Sequence, residues 1–317
     1  MIRQQAFIGK NKMLKGGLHC HTTRSDGKLS PADTIRLHKE HGYDFLAITD
    51  HRKYNYENFA PETELTIIPG MEFDNGRLPT KDGFRCYHTV CLGAEKENGN
   101  PYEQDQVFES AAAANQEEYQ PYLDKLHEDK QLTIYCHPEW SSTPARYFEK
   151  LKGNFAMEIW NTGCVLENDM DKDAAYWDEL LGQDIRIFGV ATDDGHQPNQ
   201  HCGGWVMVNA ENNVNAIRSA LETGAFYSSC GPEIYDFYVE DGIARIKCSE
   251  AVKIRLHSDR HPTQVYHTDG RLDEFAERSE NGELIGAAFN VKDYSYARIT
   301  VIDKEGRFAW TNPIFLD

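Results

Sequence analysis

The sequence lacks the features of membrane, secreted and cysteine-rich zinc proteins. No apolar run in its 317 residues is long enough to span a membrane, and residues 1–17 have no apolar core typical of a signal peptide. The eight cysteines form no CxxC pair, which argues against a cysteine-rich zinc module and favours free thiols in a reducing compartment. We therefore predict a cytoplasmic protein with no membrane partner.

Positive charge is also scarce. The chain has 33 Lys and Arg residues against 51 Asp and Glu residues, which gives a net charge of -18. Because phosphate backbones are bound mainly through Lys and Arg, we expect no nucleic-acid partner. A small anionic substrate held by metal ions remains compatible with this charge. The hydrophobic content of 40% is sufficient for a sizeable core.

Short apolar runs alternate with helical stretches between residues 16 and 230. The runs are "FLAIT", "LTIIPG", "YHTVCLG", "LTIYC", "FAMEIW", "IRIFGVAT" and "GWVMV". Runs that are apolar on both faces are typical of a parallel sheet covered by helices, and seven or eight such units suggest a closed or nearly closed β/α barrel. An open doubly wound sheet is the alternative, and the absence of a glycine-rich phosphate fingerprint after the first run makes it less favourable.

Local signals place several helices and turns. Ser30, Pro31 and Gly42 have the residue types expected at the N-cap, first position and C-terminal end of one helix. Longer helices are predicted at about 105–129, 168–181 and 213–223. Residues 74–86 are predicted to form a hairpin or a flap that shapes the substrate pocket.

The pattern changes after residue 230. Alternating segments such as "IYDFYVEDGIARIKCS" and "YARITVIDKEGRFAW" are separated by turn-like "EDG" and "DKEG". Such alternation is typical of antiparallel strands. We therefore predict two domains, a barrel at residues 1–230 and a small β-sandwich-like domain at residues 231–317.

Histidines and carboxylates recur where the apolar runs end. His19 and His21 lie two residues apart, so that on a strand their side chains project from one face. The carboxyl ends of barrel strands form one rim, where distant residues meet. The other candidates in or after such runs are Asp26, His51, Glu72, His88, His137, Asp194 and His196. Nitrogen and oxygen ligands without thiolate suit zinc, manganese or iron.

These residues resemble the PHP (polymerase and histidinol phosphatase) family of metal-dependent phosphoesterases. The matching motifs are "HCH", "SDG", "TDH", "GME", "YHTVCLG", "CHP" and "DDGH", and they cover about residues 14–230. The resemblance implies an α/β fold, a distorted (β/α)7 barrel, which here precedes a small C-terminal antiparallel β domain. It also implies three divalent metal ions. The first would be held by His19, His21, Glu72 and Asp194, the second by Glu72, His88 and His137, and the third by Asp26, His51 and His196.

The implied activity is hydrolysis of a small phosphorylated molecule. A metal-bridging hydroxide would attack phosphorus, with Glu72, Asp194 and His196 as the predicted catalytic residues. Arg24, Arg52 and Arg146 are predicted to bind the substrate phosphate, because they lie beside ligand segments and Arg binds phosphate bidentately. The alternative is a metallohydrolase of carboxyl or carbamoyl esters, which needs the same ligands. A protein that binds metal without catalysis is less favoured, because none of the nine ligand positions is missing.

For two residues near the motifs, the sequence allows two roles each. Asp50 either orients a ligand imidazole or caps a strand end, and Trp140 either forms a pocket wall or packs in the core. Asp193 is not assigned to the site. The remaining helix histidines, His38, His41 and His127, are predicted to be solvated, and His201 is predicted to lie in a surface loop.

Overall fold

The computed structural model describes residues 3–5, 12–75, 78–80, 83–172, 174–259, 264–269 and 275–316. The chain divides into two compact units. The larger unit is Asn11–Thr223, and the smaller one combines Met1–Lys10 with Gly224–Asp317. The sequence-based division into domains at residues 230 and 231 stays a prediction.

Both units contribute strands, and all the helices belong to the larger one among the described residues. The first strand of the chain, in the smaller unit, is β1 (Arg3–Gln5). The strands of the larger unit are β2 (Met13–Gly17), β3 (Phe45–Leu46), β4 (Thr66–Ile67), β5 (Gly70–Asp74), β6 (Leu78–Thr80), β7 (Gly83–Arg85), β8 (His88–Leu92), β9 (Leu132–Tyr135), β10 (Asn154–Asn161), β11 (Phe188–Thr192) and β12 (Trp205–Asn209). Its helices are α1 (Pro31–Glu40), α2 (Gln116–Glu128), α3 (Thr162–Asn168), α4 (Ala175–Gly182) and α5 (Val214–Glu222), with 3₁₀ turns at Pro61–Thr63, Lys96–Asn98, Ala145–Tyr147 and Pro198–Gln200. The strands that complete the smaller unit are β13 (Phe226–Ser229), β14 (Ile234–Glu240), β15 (Ile243–Ala251), β16 (Lys253–His257), β17 (Val265–His267), β18 (Ala276–Arg278), β19 (Leu284–Asn290), β20 (Tyr296–Ile302), β21 (Phe308–Thr311) and β22 (Ile314–Phe315).

The larger unit contains two mixed sheets rather than the parallel sheet predicted from the apolar runs. In the first sheet, β9, β10 and β11 are parallel, whereas β8 pairs antiparallel with both β5 and β9. In the second, β2, β3 and β4 are parallel and β12 pairs antiparallel with β2. Apolar character on both faces shows that a strand is covered, but it does not fix strand direction. Isolated bridges between Cys20 and Gly195 and between His51 and Glu72 connect residues of the two sheets.

The ends of α1 follow the local signals in the sequence. The Ser30 hydroxyl accepts a hydrogen bond from the Asp33 N–H at 3.2 Å, Pro31 occupies the first helical position, and Gly42 follows with φ of 78°. The helix predicted from residue 105 begins instead at Gln116, because Asn115 caps it by accepting from Glu118 N–H at 2.9 Å. An N-cap side chain satisfies an otherwise unpaired helix donor and so fixes where the helix begins.

One face of α1 packs into the core. Ile35 is fully buried in a cluster that includes Leu46, Ile48 and Leu65. His38 lies on the same face and is also fully buried, so the prediction of a solvated side chain was wrong. Its Nδ1 lies 2.8 Å from the Thr34 carbonyl oxygen one turn earlier, which explains how an imidazole is tolerated there. His41, by contrast, is exposed as predicted.

The smaller unit is built from antiparallel strands, as predicted for the C-terminal region. One sheet has the order β1-β14-β15-β19-β18. Antiparallel pairs also join β17 to β16, β16 to β20, β20 to β21 and β21 to β13. The β6 and β7 strands of the larger unit pair antiparallel, in agreement with the predicted hairpin, although residues 76–77 and 81–82 lie outside the described residues. No helix in the described ranges is long and apolar enough to cross a membrane.

Candidate metal centre

All nine predicted metal ligands meet in the larger unit. His19 and His21 follow β2, His51 follows β3, His137 follows β9, and Asp194 and His196 follow β11. Glu72 and His88 lie on the paired strands β5 and β8. The strand ends therefore bring together side chains that are up to 177 positions apart in the sequence, between His19 and His196.

Two carboxylates lie at the centre of the cluster. The Asp194 Oδ1 atom is 3.2 Å from His19 Nε2 and 3.0 Å from His21 Nε2. The two oxygens of Glu72 lie 2.9 Å from His88 Nδ1 and 2.9 Å from His51 Nδ1, and Oε1 lies 3.4 Å from His137 Nε2. Glu72 thus contacts imidazoles from three separate segments of the chain.

Asp26 marks the more exposed side of the cluster. Its carboxylate oxygens lie 3.6 Å from His51 Nε2 and 3.5 Å from His196 Nε2. One atom from each of His21, Asp26, His51 and His196 falls within 4.8 Å of the others, a spacing that a metal ion could bridge. The groups His19, His21, Glu72 and His51, Glu72, His88 meet the same criterion.

The donor set fits divalent cations. Glu72 Oε2 and Asp194 Oδ1 are buried. Although His51 Nδ1 and His21 Nε2 lie within 3.0 Å of them, neither oxygen accepts a well-aligned hydrogen bond from any described residue. Two imidazole nitrogens, His19 Nε2 and His21 Nε2, face each other at 3.2 Å. Buried acceptors without donors are costly unless a proton or a cation lies between them. Six imidazoles and three carboxylates are ligands that zinc, manganese and iron accept.

Several imidazoles are oriented by a second partner. His19 Nδ1 lies 2.7 Å from Glu158 Oε1, His51 Nδ1 lies 3.0 Å from Asp74 Oδ2, and His137 Nδ1 lies 3.0 Å from the Ser141 hydroxyl. With Nδ1 bonded in this way, Nε2 of His19 and His137 points towards the central carboxylates. Such partners fix the tautomer and ring orientation of metal-ligating histidines.

The same charges change the pKa values of the imidazoles. Burial disfavours a charge on His51, but Glu72 and Asp74 outweigh it and raise the pKa of His51 to about 11. Burial also opposes charge on His88 and His196, yet Glu72 raises the pKa of His88 to about 10, and Asp26 and Asp194 raise that of His196 to about 9. The site therefore attracts positive charge strongly, as protons when no metal is bound.

Two carboxylates of this site were missed by the sequence analysis. Glu158 is fully buried and interrupts the apolar run "FAMEIW", which is a usable signal because an isolated buried carboxylate needs a partner. Asp74 follows Glu72 by two residues on β5, so both side chains project from the same face. Their roles as partners of His19 and His51 depend on contacts between distant segments.

The neighbouring acidic residues have other partners. Asp50 accepts hydrogen bonds from Thr22 N–H and from the Ser25 hydroxyl, both at 2.8 Å, so it holds the loop after His21 rather than a ligand imidazole. Asp193 accepts from the backbone N–H groups of Cys202, Gly203 and Gly204 at 2.6–2.8 Å. Both carboxylates stabilise the chain around the site.

The structure places the three predicted phosphate-binding arginines in other contacts. Arg24 bonds to Asn55 at 2.9 Å and pairs with Asp105, and Arg52 pairs with Asp74. Arg146 lies over the Tyr147 ring, 4.6 Å from its centroid. None of the three is among the described residues that line the cavity at the metal cluster, and their substrate-binding role stays a prediction.

The cluster opens into a cavity of about 300 Å³. Its walls beyond the candidate ligands are Trp140, Gly163, Cys164, Glu167, Gln197 and Gln200. Trp140 is therefore a cavity wall, and its ring lies edge-on to His137 at a centroid distance of 5.0 Å. His201 does not line this cavity and is buried, with 8% of its surface exposed, so the predicted surface loop was wrong for its side chain.

A mixed α/β unit whose strand ends gather imidazoles and carboxylates has the form of a metal-dependent hydrolase. The chain belongs to the PHP domain family, whose model matches residues 17–180. This match confirms the resemblance to the PHP family that was drawn from the sequence motifs.

Three solved structures are similar to the chain. A two-domain protein from Bacteroides vulgatus containing a predicted PHP-like metal-dependent phosphoesterase is 15% identical, with 99% of each chain covered and a TM-score of 0.47. A metal-free, sulfate-bound amidohydrolase from Chromobacterium violaceum is 16% identical, covering 58% of this chain and 88% of the other, with a TM-score of 0.39. A protein from Bifidobacterium adolescentis described as a metal-dependent phosphoesterase is 14% identical, covering 68% and 98%, with a TM-score of 0.41. None of the curated proteins matches the chain. The family assignment rests on the domain match.

Proposed function

We propose that the protein is a metal-dependent phosphoesterase that hydrolyses a small phosphorylated molecule at a trinuclear metal site. One observation carries the proposal: six imidazoles and three carboxylates form one cluster, in which Glu72 contacts His51, His88 and His137. The three carboxylates and four of the imidazoles line a single cavity. The proposed ligands are His19, His21, Asp26, His51, Glu72, His88, His137, Asp194 and His196. The fold proposed to hold them is a distorted (β/α)7 barrel, and a cytoplasmic location stays a prediction.

The metal ions would supply a hydroxide nucleophile near neutral pH and positive charge for the phosphoryl oxygens. Hydrogen bonds within the chain orient the candidate ligand imidazoles for this chemistry. Glu158 accepts from His19 Nδ1 at 2.7 Å, and the Asp194 carbonyl oxygen accepts from His196 Nδ1 at 2.9 Å. Each contact leaves the Nε2 lone pair for a metal ion. Glu72 and Asp194 are buried, and the surrounding imidazoles lower their pKa values, so both carboxylates would hold the metal ions deep in the cavity.

Glu72, Asp194 and His196 are also proposed as catalytic residues, and the last two lie on one short segment beside the cavity. Asp194 has a positive φ of 49°, and its N–H donates to the His19 carbonyl oxygen at 3.0 Å. This backbone contact ties the Asp194–His196 segment to the segment that carries His19. Strained backbone conformations that are held by their surroundings are common in active sites.

A second candidate function is hydrolysis of a carboxyl or carbamoyl ester at the same centre. It is favoured by one observation: the cavity-lining residues that the structure describes include no Lys or Arg. Phosphate recognition usually uses such groups, whereas a carbonyl substrate does not need them. Metal ions alone can also neutralise a phosphate, so the first function is retained.

The test is phosphate release from a panel of small phosphomonoesters by protein reconstituted with Zn²⁺ or Mn²⁺. Asp194→Asn should abolish release, because it removes a charged ligand. Asp124→Asn, which changes an exposed carboxylate on α2, is the matched control and should behave as wild type. A reconstituted protein that cleaves carbamoyl or carboxyl esters but no phosphomonoester would overturn the phosphoesterase proposal.

A further inference from the structure

The cavity wall beyond the metal cluster carries one large aromatic ring. Trp140 lines the cavity, and its ring lies 5.0 Å from His137 and 5.9 Å from His88, measured between centroids. The indole therefore stands next to two candidate ligands. A substrate bound through its phosphate would place its organic part within reach of this ring.

The Trp140 backbone is held firmly in place. The buried Asp171 carboxylate accepts hydrogen bonds from the N–H groups of Glu139 at 2.9 Å and Trp140 at 2.8 Å. In return, Asp171 N–H donates to Glu139 Oε2 at 2.7 Å. These hydrogen bonds between Asp171 and the Glu139–Trp140 segment order the loop after His137 even when no substrate is bound. A wall that is ordered in advance costs less entropy on binding.

A second part of the wall carries a carboxylate that the metal cluster does not use. The buried Gln200 side chain accepts from His196 N–H at 2.9 Å and from Gln197 N–H at 2.7 Å. Its amide then donates to Glu167 Oε1 at 2.7 Å. Gln200 thus fixes Glu167 beside the metal cluster, and Glu167 Oε2 is available to accept hydrogen bonds from a ligand.

We propose that the substrate is the phosphomonoester of a polyhydroxylated ring, such as a monosaccharide phosphate. This inference rests on the proposed phosphoesterase function. The apolar face of such a ring would pack on the Trp140 indole, and its hydroxyl groups would donate to the Glu167 carboxylate. Both groups border the cavity that holds the metal cluster.

Size and charge argue against larger or more anionic substrates. The cavity of about 300 Å³ is at the small end of the range for ligand pockets, which suits one sugar ring with its phosphate. No Lys or Arg is found among the described lining residues to bind a second phosphate. An exposed carboxylate in the wall would also repel a second anionic group.

The test measures binding and turnover separately. Calorimetric titration of the Zn²⁺-loaded protein compares a non-hydrolysable hexose phosphonate with butyl phosphonate, which has no hydroxyl groups. Phosphate release compares the corresponding esters. We expect the hexose compound to be preferred by about tenfold or more, which corresponds to one hydrogen bond to a charged group plus one aromatic contact.

The variants assign this preference to the wall. Trp140→Leu should reduce the preference severalfold, Trp140→Phe should retain most of it, and Glu167→Gln should reduce it about tenfold. The control Glu128→Gln, at an exposed position on α2, should leave it unchanged.

The outcomes separate the two proposals. Equal binding of the hexose and butyl phosphonates would overturn the polyol inference even if phosphomonoesters are hydrolysed. A hexose preference that persists in both Trp140→Leu and Glu167→Gln would overturn the assignment to these residues. A hexose preference that both variants reduce, without hydrolysis of any phosphomonoester, would support the binding site and reject the phosphoesterase function. Absence of binding by either phosphonate would reject both.

Discussion

Replacing Glu158 by glutamine should weaken metal binding although Glu158 does not line the cavity at the metal cluster. The side chain is fully buried, and both carboxylate oxygens are used. Oε1 lies 2.7 Å from His19 Nδ1 and accepts from the Thr192 hydroxyl at 2.7 Å. Oε2 accepts from His137 N–H at 2.8 Å and from the Asn161 amide at 2.9 Å. Only an ionised carboxylate can accept all four of these hydrogen bonds.

Glutamine has nearly the same size but only one acceptor oxygen. If its NH₂ group replaces Oε2, it faces the His137 N–H, a backbone donor that cannot accept. If it replaces Oε1, His19 Nδ1 must become the acceptor, and the ring proton moves to Nε2. That atom lies 3.2 Å from Asp194 Oδ1, where the proposed metal ion needs a lone pair. Either arrangement disturbs a candidate ligand segment.

The expected loss is about tenfold to a hundredfold in metal affinity, the usual effect of removing a partner of a ligating histidine. This loss corresponds to about 1.4–2.7 kcal/mol. Competition titration of Zn²⁺ against a chromophoric chelator measures the affinity, and elemental analysis counts the ions retained. The exposed Glu128→Gln change is the control. A folded Glu158→Gln protein, verified by near-UV circular dichroism, with unchanged zinc affinity would refute the reasoning.

Three further predictions concern stability. Chelation of bound metal should lower Tm, by an amount equivalent to about 2.7 kcal/mol when the free ion had been at a hundred times Kd, and calorimetry with an unchanged Tm would contradict metal binding by the folded state. His127 Nε2 lies 2.8 Å from the Thr133 hydroxyl, and burial lowers the pKa of His127 in the folded state. The unfolded state therefore binds a proton more readily, so the contribution of His127 to stability should be complete above pH about 6.5 and should be lost as the pH drops towards the folded-state pKa. Urea titrations should show a smaller loss for His127→Gln over that range, and an equal loss would show that another group causes it. Gly195→Ala should destabilise the protein and reduce its metal content, because the added Cβ would lie 2.6 Å from the His201 ring. The control Gly182→Ala should have neither effect, because its Cβ would meet nothing within 4 Å. Equal unfolding midpoints for the two variants would count against this packing argument.

The candidate site was largely predictable because its residues follow local rules. His19 and His21 alternate on an extended segment, and both project into the cluster, as their spacing predicts. The positions of Arg24 and Arg52 were less predictable, since proximity in sequence to a ligand does not determine where a long side chain points. Their partners, Asp105 and Asp74, lie 81 and 22 residues away. A long-range ion pair of this kind leaves no local signal in a single sequence.

Strand direction was the main limit for the fold. The run that contains His88 has the same apolar character as its neighbours, yet β8 runs antiparallel to both of them. The short β6–β7 hairpin segment between β5 and β8 permits this reversal, because antiparallel strands do not need a crossover helix. His38 shows a second limit, because its helical position matches either a solvated or a buried imidazole. Its bond to the Thr34 carbonyl oxygen stabilises the buried arrangement.

The structure also changes the charge balance expected from the ligands. Three divalent ions with three carboxylates and one hydroxide would leave a surplus of about two positive charges. Glu158 and Asp74 add two carboxylates beside the ligands, and Arg52 offsets one of them. The surplus is then about one charge, so a single phosphate dianion would exceed it. At the proposed trinuclear site, this charge balance would favour a substrate with one phosphate over a substrate with two. The uncharged and acidic walls at Trp140 and Glu167 would act in the same direction.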